Sequence, residues 1–122
     1  MEFKKFEGIH QRQEDRITIT SSYSIGFPTK YYRDNKISDY KYVVLFFANE
    51  DKAIGIHFTN DDNEKSKFSI IRSNQSYGAS IVARSFFKVN NINPHDYRGR
   101  YEWVKETLEG IGLLYVIKLK ER

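Results

Sequence analysis

The chain has 122 residues, a net charge of +4 at pH 7, no cysteine, and 16% aromatic residues with nine Tyr and nine Phe. A chain this long fits one domain that buries about two thirds of its unfolded surface. The missing cysteines exclude thiol catalysis, Cys-ligated zinc and a disulfide framework, while the aromatic content excludes disorder and points to β structure.

The first 16 residues alternate charges with the isolated apolar residues Phe3, Phe6 and Ile9, which reads as an N-terminal extension with room for an edge strand. They lack the apolar centre of a signal peptide, and no stretch of the chain reaches the roughly 20 apolar residues of a membrane span, so a cytoplasmic protein is expected. Ile17-Thr18-Ile19-Thr20 alternates β-branched residues and predicts a half-buried strand. Ser21 to Ser24 reads as a loop and Gly26 as a turn. Pro28 suits the first position of a short helix running to about Lys36, because its missing N–H costs nothing there. Tyr42 to Phe47 is almost continuously apolar and predicts a strand that is covered on both faces or sits in a tight barrel. A polar turn at Asn49 to Lys52 then leads into Ile54, Ile56 and Phe58, which alternate with Gly55, His57 and Thr59. After a charged excursion to Lys67, Phe68 to Ile71 forms another strand. Gly78 and Ala79 read as a loop before a helix from about Ile81 to Asn90, with Pro94 beyond its end. Tyr101 to Lys105 and Leu113 to Leu119 close the series around a turn at Leu108 to Gly112.

Two parts of this series repeat. Residues 27–37 line up with residues 81–92 when Pro28 is set against Ala83: an aromatic pair (Tyr31-Tyr32, Phe86-Phe87), a base, an Asn (Asn35, Asn90) and an Ile (Ile37, Ile92) recur in order. A strand precedes each copy and a hairpin follows it, so a strand–helix–hairpin unit is duplicated, as residues 17–60 and 67–120. Each unit has too few strands to bury its own apolar face. The expectation is one mainly β domain over residues 17–122: a β-barrel of about seven strands with two short helices, made of two interleaved units.

The stretch Gly26-Phe27-Pro28-Thr29-Lys30-Tyr31-Tyr32, between a strand and a hairpin with a polar turn, resembles the AbrB/MazE/MraZ swapped-hairpin superfamily. Two such units make one barrel there, and one chain can carry both. The second copy departs from the pattern by lacking the Pro, and neither copy has the Gly-Asp step before its hairpin; Ser38-Asp39-Tyr40 and Asp96-Tyr97-Arg98-Gly99 stand in its place. Ile25-Gly26-Phe27-Pro28 is also similar to a step of the B3-like DNA-binding pseudobarrel. Both resemblances imply double-stranded DNA as partner and a role as a transcription regulator or antitoxin-like factor, acting as a pseudo-dimeric monomer or a homodimer. The swapped-hairpin resemblance implies Lys30 and Arg33 in the first copy, and Arg84 and Lys88 in the second, as DNA contacts.

Charge adds to that implication. Residues 1–66 carry ten bases against eleven acids, whereas residues 67–122 carry ten bases against five acids. The second half therefore holds the positive field, which suits a polyanionic partner. Arg98-Gly99-Arg100 sets two guanidinium groups around a flexible residue, a pattern suited to phosphate contact. Tyr97 and Tyr101 beside them are stacking candidates for an unpaired base, the basis of a single-stranded nucleic-acid reading. His10, His57 and His95 form no metal-ligand spacing, Asp61-Asp62-Asn63-Glu64 lacks the spacing of a calcium loop, and no serine sits in a nucleophile elbow. No enzyme and no cofactor are expected. The competing expectation is a protein-interaction or assembly module whose basic surface only keeps it soluble.

Overall fold

The computed structural model describes residues 1–3, 14–72 and 78–121. His10 and most of the expected N-terminal extension lie outside the described residues. Ten strands and two short helices follow in the order β1 (Ile17–Ile19), β2 (Ser24–Pro28), α1 (Thr29–Asp34), β3 (Tyr42–Ala48), β4 (Ala53–Thr59), β5 (Lys67–Ser69), β6 (Ile71–Arg72), β7 (Gly78–Val82), α2 (Arg84–Val89), β8 (Gly99–Tyr101), β9 (Trp103–Leu108) and β10 (Gly112–Lys118). A 3-10 turn, Ile37–Asp39, follows α1. The strands form two antiparallel five-stranded sheets, ordered β6-β7-β2-β1-β8 and β5-β3-β4-β10-β9.

The mainly β class with two short helices agrees with the sequence, whereas the strand count is ten instead of about seven. Part of the difference comes from chain that crosses between the sheets. Ile70 separates β5 from β6 and turns its N–H to the Lys41 carbonyl, so what reads as one strand serves both sheets. Glu102 makes the same break between β8 and β9. The rest comes from β2 and β7, which pair with each other over five residues from Ser24↔Val82 to Pro28↔Gly78. Gly26 is therefore a strand residue and not a turn, and Gly78 and Ala79 are strand residues and not a loop. The second helix begins at Arg84, because Ile81 is spent on the ladder opposite Ile25. The described ladders give two open sheets and not one closed barrel.

The core lies between the sheets. Ile17, Ile19, Ile25 and Phe27 face it from the first sheet, and Val43, Ile54, Ile56 and Ile117 from the second. Tyr31 fills the centre, with ring centroids 5.7 Å from Phe27, 5.3 Å from Tyr115 and 5.2 Å from Trp103. β4 and β10 deliver the expected inward residues Ile54, Ile56, Phe58, Tyr115 and Ile117, but Leu113 is 41% exposed, and on the other face Gly55 and Leu114 are buried against each other, a Cβ at Gly55 lying 3.0 Å from the Leu114 side chain. β3 is fully buried only at Val43. The expectation of cover on both faces is not met: Val44 and Phe46 are only half-buried and border a cavity with His57, Asp61, Glu64 and Ile111.

The two helices end alike. Asn35 and Asn90 each donate a side-chain N–H to the carbonyl four residues back, on Tyr31 and Phe86. Lys36 and Asn91 follow in the left-handed region, both at φ +55°, and Ile37 and Ile92 then turn into the core. Four pairings cross between the halves: β2 with β7, β1 with β8, β3 with β5 and β4 with β10.

Candidate nucleic-acid interface

Because β2 and β7 run antiparallel, the helices that follow them leave from opposite ends of the ladder. α1 starts next to Pro28↔Gly78 and α2 next to Ser24↔Val82. The five-pair ladder separates these ends by roughly 14 Å at about 3.4 Å per residue. The expected basic residues therefore fall into two groups, and the structure treats the groups differently.

At the α1 end, Lys30 and Arg33 both approach Asp34, at 2.5 and 3.6 Å. The hydrogen bond from Lys30 holds the Asp34 carboxyl below the usual carboxylate range. This cluster is locally compensated.

The α2 end is built around Tyr23 in the β1–β2 turn. The Thr20 side chain accepts the Ser24 N–H at 3.2 Å, and the Thr20 carbonyl accepts the Tyr23 N–H at 3.3 Å. Tyr23 sits at φ +69°, a region costly for a bulky side chain. It is held there by the Ala83 N–H donated to its carbonyl at 2.8 Å, and by edge-on packing against the buried Phe87 ring at 6.1 Å. Arg84 and Lys88, one helical turn apart on α2, both lie over this ring: the Arg84 guanidinium is 4.5 Å and the Lys88 ammonium 5.9 Å from its centroid. Two like charges at this spacing repel one another, and the ring face offsets part of that cost. Among the described residues neither cation makes an ion pair. Two exposed cations held by one aromatic ring form a surface on which an anionic oxygen is stabilised.

Arg100 lies on β8 of the same sheet, and Arg98 just ahead of that strand. Gly99 pairs with Ile19, which places Arg98 beside the β1–β2 turn, where its guanidinium donates to the His95 carbonyl at 2.5 Å. Arg100 pairs with Thr18 and approaches the Glu14 carboxylate at 3.6 Å. Glu14 is drawn down to about 2 chiefly by its hydrogen bonds from Arg16, at 2.9 and 3.0 Å. Arg84, Lys88 and Arg98 thus gather at one end of the first sheet, with Arg100 further along it.

The two stacking candidates meet through the Tyr101 hydroxyl and the Tyr97 carbonyl, 2.6 Å apart. Tyr101 is 5% exposed, and its hydroxyl donates to the Tyr97 and Lys120 carbonyls, so its ring is closed to an incoming base. Tyr97 is half-buried. The aromatic residue that does stand at the basic surface is Tyr23, which sequence reasoning passed over as part of a serine-rich loop. Its signal is the size of the side chain: a bulky ring in Ser-Ser-Tyr-Ser needs a packing partner or a ligand. Among the described residues no group of three or more His, Asp or Glu side chains is placed to hold a metal ion, and no helix is long and apolar enough to cross a membrane. Compared with known protein families, with curated proteins and with solved structures, the chain matches none.

Proposed function

We propose that the chain is a non-enzymatic DNA-binding protein of the regulator or antitoxin-like kind, which holds the phosphates of duplex DNA at Arg84 and Lys88 with support from Arg98 and Arg100. The observation that carries this reading is the pair of cations on the Tyr23 ring, without an ion pair among the described residues, in the half of the chain that holds the excess of bases. Lys30 and Arg33, shared with Asp34, are secondary contacts in this scheme. The swapped-hairpin resemblance belongs to the same proposal. It is supported by the repeated order of strand, helix, left-handed residue and buried Ile, and by the strand each half lends to the other: β1 to β8, and β5 to β3.

Fluorescence anisotropy with a labelled random-sequence duplex across a salt series tests it. Each phosphate contact adds about 0.9 to the slope of log affinity against log salt, so Arg84→Ala with Lys88→Ala should lower the slope by roughly 2. Both side chains are exposed, and the melting temperature should hold. A slope unchanged by the double substitution removes these residues from the interface.

A second reading, a protein-interaction module, is favoured by a different surface. The β9–β10 hairpin exposes Val104 (59%), Leu108 (40%) and Ile111 (42%), and among the described residues β9 is an edge strand. Exposed apolar residues on such an edge strand suit a protein partner. That reading expects no duplex binding even at low salt, and a protein complex that Val104→Lys disrupts.

A further inference from the structure

α2 has a second face, turned away from Arg84 and Lys88. Between it, β3 and the start of β5 lies a cleft of about 320 Å³, larger than the cavities of about 220 and 210 Å³ beside His57. We propose that this cleft binds a small organic anion: a flat apolar body of about two fused rings carrying one carboxylate or phosphate.

The walls argue for the apolar body. Leu45, Phe68, Phe86 and Val89 line the cleft, and the Phe86 ring is fixed by edge-on packing against Phe47 at 6.2 Å and Phe87 at 5.7 Å. A platform already held in place costs a ligand little ordering entropy. Val89, at 80% exposure, is the most solvent-open apolar residue of the second half, and a ligand in the cleft would cover it. The volume argues for the size, because a cavity of about 150 Å³ accepts one benzene ring.

The charges argue for the anion. Lys65 and Lys67 are the charged residues of the lining, and no carboxylate accompanies them. Lys67 is anchored by donating to the Glu64 carbonyl at 2.8 Å and by the Tyr42 ring at 5.1 Å, so Lys65 is the cation free to meet the ligand. The smaller cavity of about 220 Å³ beside His57 has the opposite character, with Asp61 and Glu64 in its wall. Ser66 and Ser85 add hydroxyls at the rim of the basic cleft, which suits a carboxylate or phosphate oxygen.

Titration of the full-length, ¹⁵N-labelled protein with sodium 2-naphthoate, followed by amide chemical shifts, tests this without nucleic acid and so independently of the interface at Arg84. A ligand of this size is expected to saturate with a Kd on the order of 1 mM or below. Its shifts should concentrate at Leu45, residues 65–68 and residues 85–90. Lys65→Glu should weaken binding roughly fivefold, since the ion pair is exposed, and Val89→Trp, at a solvent-facing position, should block the cleft without disturbing the fold. Shifts that do not saturate overturn the proposal. So does mapping to the β9–β10 hairpin, or equal binding of the cationic analogue 2-naphthylmethylammonium.

Discussion

Replacing Tyr31 with Phe should stabilise the protein, although the residue lies at the centre of the core. The Tyr31 side chain is fully buried, and among the described residues its hydroxyl has no hydrogen-bond partner. Burial pushes its pKa well above the usual tyrosine range, so the group stays a neutral, desolvated hydroxyl. Leaving such a group unpaired costs about 1–3 kcal/mol. The small gap left by removing one oxygen returns part of that, so Tyr31→Phe should gain about 1 kcal/mol, or roughly 3–5 °C in Tm for a chain of this length. Urea unfolding monitored by the single tryptophan is a direct assay, since the Trp103 ring lies 5.2 Å from Tyr31. The midpoint should rise while the m-value stays constant. The neighbouring tyrosine supplies a control of opposite sign. Tyr115 donates its hydroxyl to the Asn35 side chain at 3.2 Å, so Tyr115→Phe should lose about 1 kcal/mol. If Tyr31→Phe were destabilising by as much as Tyr115→Phe, the Tyr31 hydroxyl would have to be satisfied, and the reasoning would fail.

Two further outcomes follow from local geometry. Gly78 and Gly110 both adopt positive φ, at +109° and +82°, but a Cβ at Gly78 would lie 2.2 Å from the Phe27 carbonyl oxygen, whereas one at Gly110 meets nothing within 4 Å. Gly110→Ala should therefore cost about 1 kcal/mol in urea unfolding and Gly78→Ala at least twice that; equal losses would refute the clash with β2. Glu14, lowered from 4.5 to about 2 by the Arg16 hydrogen bonds, stabilises the fold fully above pH 4.5, and the contribution disappears as pH falls through 2. Glu14→Gln should accordingly reduce the acid-side loss of Tm across that window while changing little below it, and identical profiles for the two proteins would refute the assignment.

The parts of the fold that could be read in the sequence are those where one physical signal dominates. Ile54, Ile56 and Phe58 alternate cleanly, and they are the buried face of β4. Tyr31-Tyr32 and Phe86-Phe87 mark both helices, although Tyr31 of the first pair and Phe87 of the second are the buried members. β2 and β7 were hidden because their outward positions carry Ser24, Gly26, Gly78 and Ser80, residues that favour turns in isolation and are tolerated here by the long β2–β7 ladder. In the candidate site, charge alone could not rank the bases. Lys30 and Asp34 stand four residues apart, a spacing that already announces their ion pair. Nothing local announces that Arg84 and Lys88 share the ring of Tyr23, some 60 residues earlier, since that meeting depends on β2 pairing with β7.

The cross-pairing of the halves also bears on the linker that joins them. Four of the eight ladders among the described residues join one half to the other, and the chain between them is the short stretch from Asn60 to Ser66. That stretch is pinned at its start: Asn60 accepts the Lys41 N–H and donates to the Asp39 carbonyl, and Asp62 accepts the Tyr42 hydroxyl. Neither half could be excised as a stable fragment, but the two fragments together should recombine, because every ladder that joins them remains available. The same property makes the linker a choice point between closure within one chain and exchange between two. The contacts at Asn60 and Asp62 fold the start of the linker back on its own first half, so their removal should be read by sedimentation for exchange of second halves between two chains.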